Sequence, residues 1–268
     1  MCALRVIQGH DGPVLIDEAK GTVTKIYLRC SHEEGVRKAE REVYCAARLR
    51  ESLSRVDGVS CPQIIASELS VPPRVVMQLC PGEMLSSYLR RVGPRDGRIA
   101  GIAQRIHDGL EIYARLFEEP EYDCCFQNLL YDESSGVLTF LDFGLAPAIG
   151  GPEGSAFERI LGKLVGWAFF DLVRPSHLFL PKQGYIDLMQ AVLAAFERQV
   201  RRERIREFAD LVFKRLGGTG PMLRRSYYHM AGKILIGSYR HQVRLNPATA
   251  NPAGISDRND AKRAKLAA

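Results

Sequence analysis

Long hydrophobic runs are missing from this 268-residue chain. Its most apolar stretch, Leu161 to Val173, is broken by Lys163 and Asp171. It falls short of the roughly 20 apolar residues that a bilayer-crossing helix needs, so no membrane span is expected. Gly9 and His10 arrive before an apolar leader core can form, so no secretory signal is expected and the chain is placed in the cytoplasm. Cysteine is present in an odd number, seven, with no C-x-x-C pair. That argues against a disulfide framework and against a zinc site, and leaves reduced thiols. There is no internal repeat, and a composition of 46% hydrophobic and 25% charged residues excludes disorder, collagen and coiled coil as descriptions of the whole chain.

What the chain does have is charge asymmetry. The net charge is +6, but residues 1–150 hold 17 Lys/Arg against 21 Asp/Glu, whereas residues 151–268 hold 20 against 10. The basic half contains Arg201-Arg202-Glu-Arg204-Ile-Arg206, Lys214-Arg215 and Arg224-Arg225. A solvated helix face explains such runs without further function, and an anion-attracting surface is the alternative. No nucleic-acid recognition motif accompanies them, which makes nucleic acid a minor option.

Strand patterning opens the chain, at Leu4–Ile7, Val14–Ile16 and Val23–Leu28, separated by glycine-bearing turns. Ser31-His-Glu-Glu34 matches a capping box and predicts a helix to about Leu53, with Ala39, Ala46, Leu49 and Leu53 on one face. Strand character returns at Gln63–Leu69 and Arg74–Leu79 before Pro81-Gly82 ends it. Beyond Gly82, Ile99, Ile102, Ala103, Ile106, Leu110, Tyr113 and Phe117 recur at helical spacing. Leu129–Tyr131 and Leu138–Leu141 predict a hairpin, and helices are predicted at about 157–173, 185–200, 205–216 and 222–239. The pattern divides the chain into residues 1–81, a sheet with one helix; 82–245, mainly helical with the hairpin; and 246–268, a Pro/Ala/Asn-rich tail expected to be disordered. The fold class is α+β, with a ligand cleft expected between two lobes.

The chemistry gathers around the hairpin. Asp123 and Asn128 precede it, and Leu141-Asp142-Phe143-Gly144 follows it. Phosphoryl transfer needs an aligned acceptor hydroxyl, neutralised phosphate charge and metal ions held by oxygen ligands. Asp123 can orient a hydroxyl or accept its proton, while Asn128 and Asp142 offer the hard oxygens that magnesium prefers. Taken singly, each has an ordinary role in a turn or at a strand end.

Together, D-x-x-x-x-N at Asp123–Asn128 and D-F-G at Asp142–Gly144 resemble the protein-kinase-like superfamily, and most nearly its aminoglycoside and small-molecule phosphotransferase branch. The resemblance extends over about residues 5–175 and implies a bilobal kinase-like fold using ATP and magnesium. It implies Lys25 as the phosphate-binding lysine and Glu42 as its ion-pair partner, with Glu40 as the fallback. It implies that Asn128 and Asp142 hold the metal and that Asp123 is catalytic. The segment Met77-Gln78-Leu79-Cys80 resembles the hinge, implying backbone contacts from Gln78 and Cys80 to the adenine edge, with Met77 behind the base. Gly9 and Gly12, with Val14 following, form a partial glycine-rich loop.

The expected activity is transfer of the ATP γ-phosphate to a hydroxyl acceptor, a small molecule or glycan, anionic if the basic half faces it. No A-P-E segment follows Gly144, which tilts acceptor choice away from protein. Tyr122, Cys125 and the shortened glycine loop depart from the family pattern. The alternatives are a protein or glycolipid kinase of the same fold, or a pseudokinase serving as a nucleotide-binding or regulatory module.

Overall fold

The computed structural model describes residues 4–92, 96–117, 124–143, 155–173, 183–196 and 207. Asp123 and Gly144 lie outside these residues, as do the predicted helix at 222–239, the tail, and, except for residue 207, the predicted helix at 205–216 and the basic 201–225 region.

The chain begins with three short strands, β1 (Leu4–Gln8), β2 (Pro13–Asp17) and β3 (Thr22–Ile26), followed by helix α1 (His32–Leu53). Ser31 starts α1 in the expected way, its hydroxyl accepting the Glu34 amide hydrogen at 3.2 Å. The Glu34 carboxylate does something else, pairing with Lys38 one turn later at 3.0 Å. Spacing of three and four residues lines Ala39, Glu42, Ala46, Leu49 and Leu53 along the buried side of the helix.

Next come β4 (Val59–Ser60), β5 (Ile64–Glu68), β6 (Arg74–Gln78), β7 (Glu83–Met84) and α2 (Leu85–Arg91). The strands β1, β2, β3 and β5, β6 form one five-stranded antiparallel sheet in the order β1-β2-β3-β6-β5. Helix α3 (Arg98–Leu116) leads through a 3-10 turn at Phe126–Asn128 to the hairpin β8 (Leu129–Asp132) and β9 (Val137–Phe140), then to α4 (Ala156–Val173) and α5 (Gln183–Phe196). The hairpin turn is closed by Asp132, whose carboxylate accepts from the Ser134 amide at 3.1 Å and from both serine hydroxyls.

The hairpin also builds a second sheet, in the order β4-β9-β8-β7. The two-residue strands β4 and β7, and the short α2, are not among the elements expected from the sequence. Strands of two residues have no alternation to read, and they exist because β8 and β9 offer them open ladder groups.

A large apolar cluster joins the lower half of α1 (Cys45, Ala46, Leu49, Leu53) to α2, α3, the hairpin, α4 and α5. A smaller one, Tyr27, Ala39, Val75 and Met77, lies between the five-stranded sheet and the upper half of α1. The result is an α+β protein, a five-stranded sheet with one helix first and mainly helices afterwards. Among the described residues, no helix is long and apolar enough to cross a membrane.

Candidate functional site

The site grows from strand periodicity. Val23, Lys25 and Tyr27 fall on one side of β3 and its extension, so the lysine shares a face with a partly buried valine and a buried tyrosine. Its position is fixed on both flanks, opposite Val14 of β2 and Val75 of β6. Glu42 lies on the buried stripe of α1 at 2% exposure, facing this side of the sheet. A carboxylate cannot stay there without partners.

It has three. Lys25 Nζ donates to Glu42 Oε2 at 2.9 Å, the Tyr27 hydroxyl donates to the same oxygen at 2.9 Å, and the Phe143 amide donates to Oε1 at 3.3 Å. Lys25 also donates to Asp142 Oδ1, joining residues 117 apart in sequence. Glu40, the fallback partner, is exposed on the other face of α1.

Asp142 is delivered by the hairpin. The Leu141 amide donates to the Asn128 carbonyl at 2.9 Å, which sets Asn128 across the ladder from the residue before Asp142. At Asp142 the backbone turns into the left-handed region, with φ at 57°. Aspartate tolerates this conformation better than most residues, and such geometry collects at functional sites. Phe143 then enters the large core at 1% exposure, while the Asp142 side chain keeps 44% of its surface open.

Burial penalises the Lys25 ammonium, but the Glu42 and Asp142 carboxylates outweigh it and hold the lysine well above its ordinary range. The site therefore contains a fixed positive charge between a buried and a half-open carboxylate.

The glycine loop is pinned to the same machinery. The Gly9 amide donates to the Gly12 carbonyl at 2.9 Å, and the Asp11 carbonyl accepts from the Leu28 and Arg29 amides. The Asp11 carboxylate takes a 2.8 Å bond from Lys38, one turn ahead of Glu42 on α1. Gly12 lies so close to the Ile26 carbonyl that a β-carbon there would overlap it.

In the segment expected to form the hinge, Met77 is buried in the smaller cluster, opposite Val23. The Gln78 amide donates to the Gln63 carbonyl at 2.8 Å, and the Leu79 amide to the Gly21 carbonyl at 2.8 Å. The Cys80 thiol lies 3.7 Å from the Gln78 carbonyl, which accepts from it. The Gln78 donor is thus engaged by the sheet.

The structure brings Lys25, Glu42 and Asp142 into direct contact, sets Asn128 one ladder step away, and ties Gly9 and Gly12 through Asp11 to α1. Asp123 lies outside the described residues. Two features were not singled out from sequence. Tyr27 is signalled by its i+2 spacing from Lys25, and Lys38 by its i−4 spacing from Glu42.

No protein-family model and no curated protein matches the chain. Among solved structures, the chain is similar to the PknI kinase domain of Mycobacterium tuberculosis at 16% identity, over 78% of this chain and 93% of that one, with a TM-score of 0.49. It is also similar to the PK-1 kinase of Cydia pomonella granulovirus at 14% identity, over 77% and 73% of the two chains, with a TM-score of 0.43. This chain's own geometry gives the five-stranded sheet, α1 laid across it, and the contact of Lys25 with Glu42 and Asp142.

Proposed function

We propose that the protein is a phosphotransferase that moves the γ-phosphate of ATP, with magnesium, to a hydroxyl acceptor, a small molecule or glycan. The observation that carries this reading is the Lys25 ammonium shared between the Glu42 and Asp142 carboxylates. An internally saturated salt bridge has no need of a half-open carboxylate at one end. A cation that must meet phosphate beside a metal ligand does.

The donor set suits magnesium, which accepts one or two protein oxygens and fills its octahedron with water and phosphate oxygens. Asp142, half open, and Asn128, across the ladder from Leu141, would hold the ion. When bound, the ion would supply charge neutralisation to the phosphate oxygens. Lys25 would engage the α- and β-phosphates with Glu42 keeping it aimed. Asp123, assigned from its motif, would orient the acceptor hydroxyl and take its proton. At the hinge, the Gln78 carbonyl and the Cys80 amide are assigned to the adenine edge, with Met77 behind it.

The test has two steps. Asp142→Ala should lose magnesium-dependent ATP binding by calorimetry; binding equal to wild type removes the metal assignment. Incubation with γ-labelled ATP and magnesium against fractionated small-molecule and macromolecular pools should then label an acceptor, with Asp123→Asn as the inactive control. Binding without any labelled product would leave a nucleotide-binding module in place of an enzyme.

A further inference from the structure

Tyr27 touches both members of the ion pair. Its hydroxyl donates to Glu42 Oε2 at 2.9 Å, and its ring lies under the Lys25 ammonium, 5.4 Å from nitrogen to centroid. It is 2% exposed, and its own amide is tied to the Pro73 carbonyl at 2.9 Å, so the side chain is carried on a fixed stretch of backbone. Burial, then the neighbouring Glu42 charge, keeps the phenol protonated far above neutral pH, so that it remains a donor.

Lys25 divides its hydrogens between Glu42 and Asp142, and on the proposed function it must also reach phosphate. Its three hydrogens can serve all three acceptors, but the pull of phosphate loosens its hold on Glu42. A carboxylate at 2% exposure cannot replace a lost donor with water. Tyr27 supplies a donor that does not move with the lysine, while its ring face stabilises the ammonium wherever it swings above it.

We infer that Tyr27 is a positioning residue that holds Glu42, and through it α1, in the nucleotide-competent arrangement when Lys25 turns to its ligand. This rests on the proposed nucleotide site but adds a residue that the motif does not contain.

The test is a double-mutant cycle in the full chain, with Tyr27→Phe, Glu42→Leu and the pair together. Tyr27→Phe is expected to weaken Mg-ATP binding about tenfold. In the Glu42→Leu background, the same change is expected to alter affinity less than about twofold. Wild-type affinity in Tyr27→Phe, or an equal loss in both backgrounds, overturns the inference.

Amide hydrogen exchange across residues 39–46 of α1 provides an arm without nucleotide. Tyr27→Phe should speed it about tenfold, with β8 and β9 unchanged and the effect absent beside Glu42→Leu. Unchanged or additive rates overturn the inference. If wild type binds no Mg-ATP, the proposed function falls and exchange alone decides Tyr27. Should Tyr27→Phe fail to fold, folding of the double variant, which removes donor and acceptor together, supports the pairing, and failure of both overturns it.

Discussion

Lys25 is a single cation serving two carboxylates, so replacing it by methionine leaves Glu42 buried with a charge it cannot discard cheaply. Removing one partner of a buried pair costs about 3 kcal/mol or more, whereas the half-open Asp142 loses little because water screens it. Lys25→Met is therefore expected to lower the denaturation free energy by about 3 kcal/mol and to abolish nucleotide binding, both readable in urea titrations with and without Mg-ATP. The lysine's raised titration point fixes the sign with pH. Its contribution is complete below the ordinary lysine value and is lost only as pH climbs beyond it through the higher folded-state value. Lys25, Glu42 and Asp142 were legible because strand order, helix face and motif spacing each name one residue. Tyr27 was legible only in part, since its i+2 spacing puts it on the lysine's face while the target of its hydroxyl depends on how close α1 approaches the sheet.

Between β1 and β2, the loop of Gly9 to Gly12 is an element held by its neighbours more than by its own turn. Asp11 anchors it to Lys38 of α1, and Arg29 donates to the Gly9 carbonyl at 2.9 Å. Burial alone would raise the Asp11 titration point, but the bond from Lys38 and nearby positive charge bring it below the ordinary carboxylate value. The stabilisation is thus present above that ordinary value and disappears as pH falls through the folded-state one. Asp11→Asn should cost about 1 kcal/mol at neutral pH. Its denaturation midpoint should converge on wild type in acid; a gap constant with pH would show the ion pair is not the anchor. The sequence displayed two glycines and a turn but not this tether, because Lys38 and Asp11 meet only after α1 has docked. Likewise the capping box was legible in half: Ser31 caps, while Glu34 is drawn to Lys38.

Across the molecule, α1 belongs to both apolar clusters, with Ala39 in the smaller and Leu49 and Leu53 in the larger. The β4 strand adds a second link, pairing Val59 with Leu138 of the hairpin. The Pro81-Gly82 break was visible from sequence, yet these links across it were not, because neither a two-residue strand nor the far side of a helix announces its partner. A chain divided in composition can therefore still unfold as one unit, since opening the sheet strips α1 from the helices as well. Leu49→Ala tests this. The residue is 2% exposed, and truncating a buried leucine costs about 2–5 kcal/mol. Trp167, the single tryptophan, packs against the larger cluster and reports on it by fluorescence, while amide exchange at β3 reports on the sheet. If α1 couples the two, Leu49→Ala lowers the denaturant midpoint of both probes equally and the transitions stay superimposed. A Trp167 transition that moves alone, with β3 protection unchanged, would mean that the sheet stands independently and that Glu42 is held by β3 rather than by the helical core.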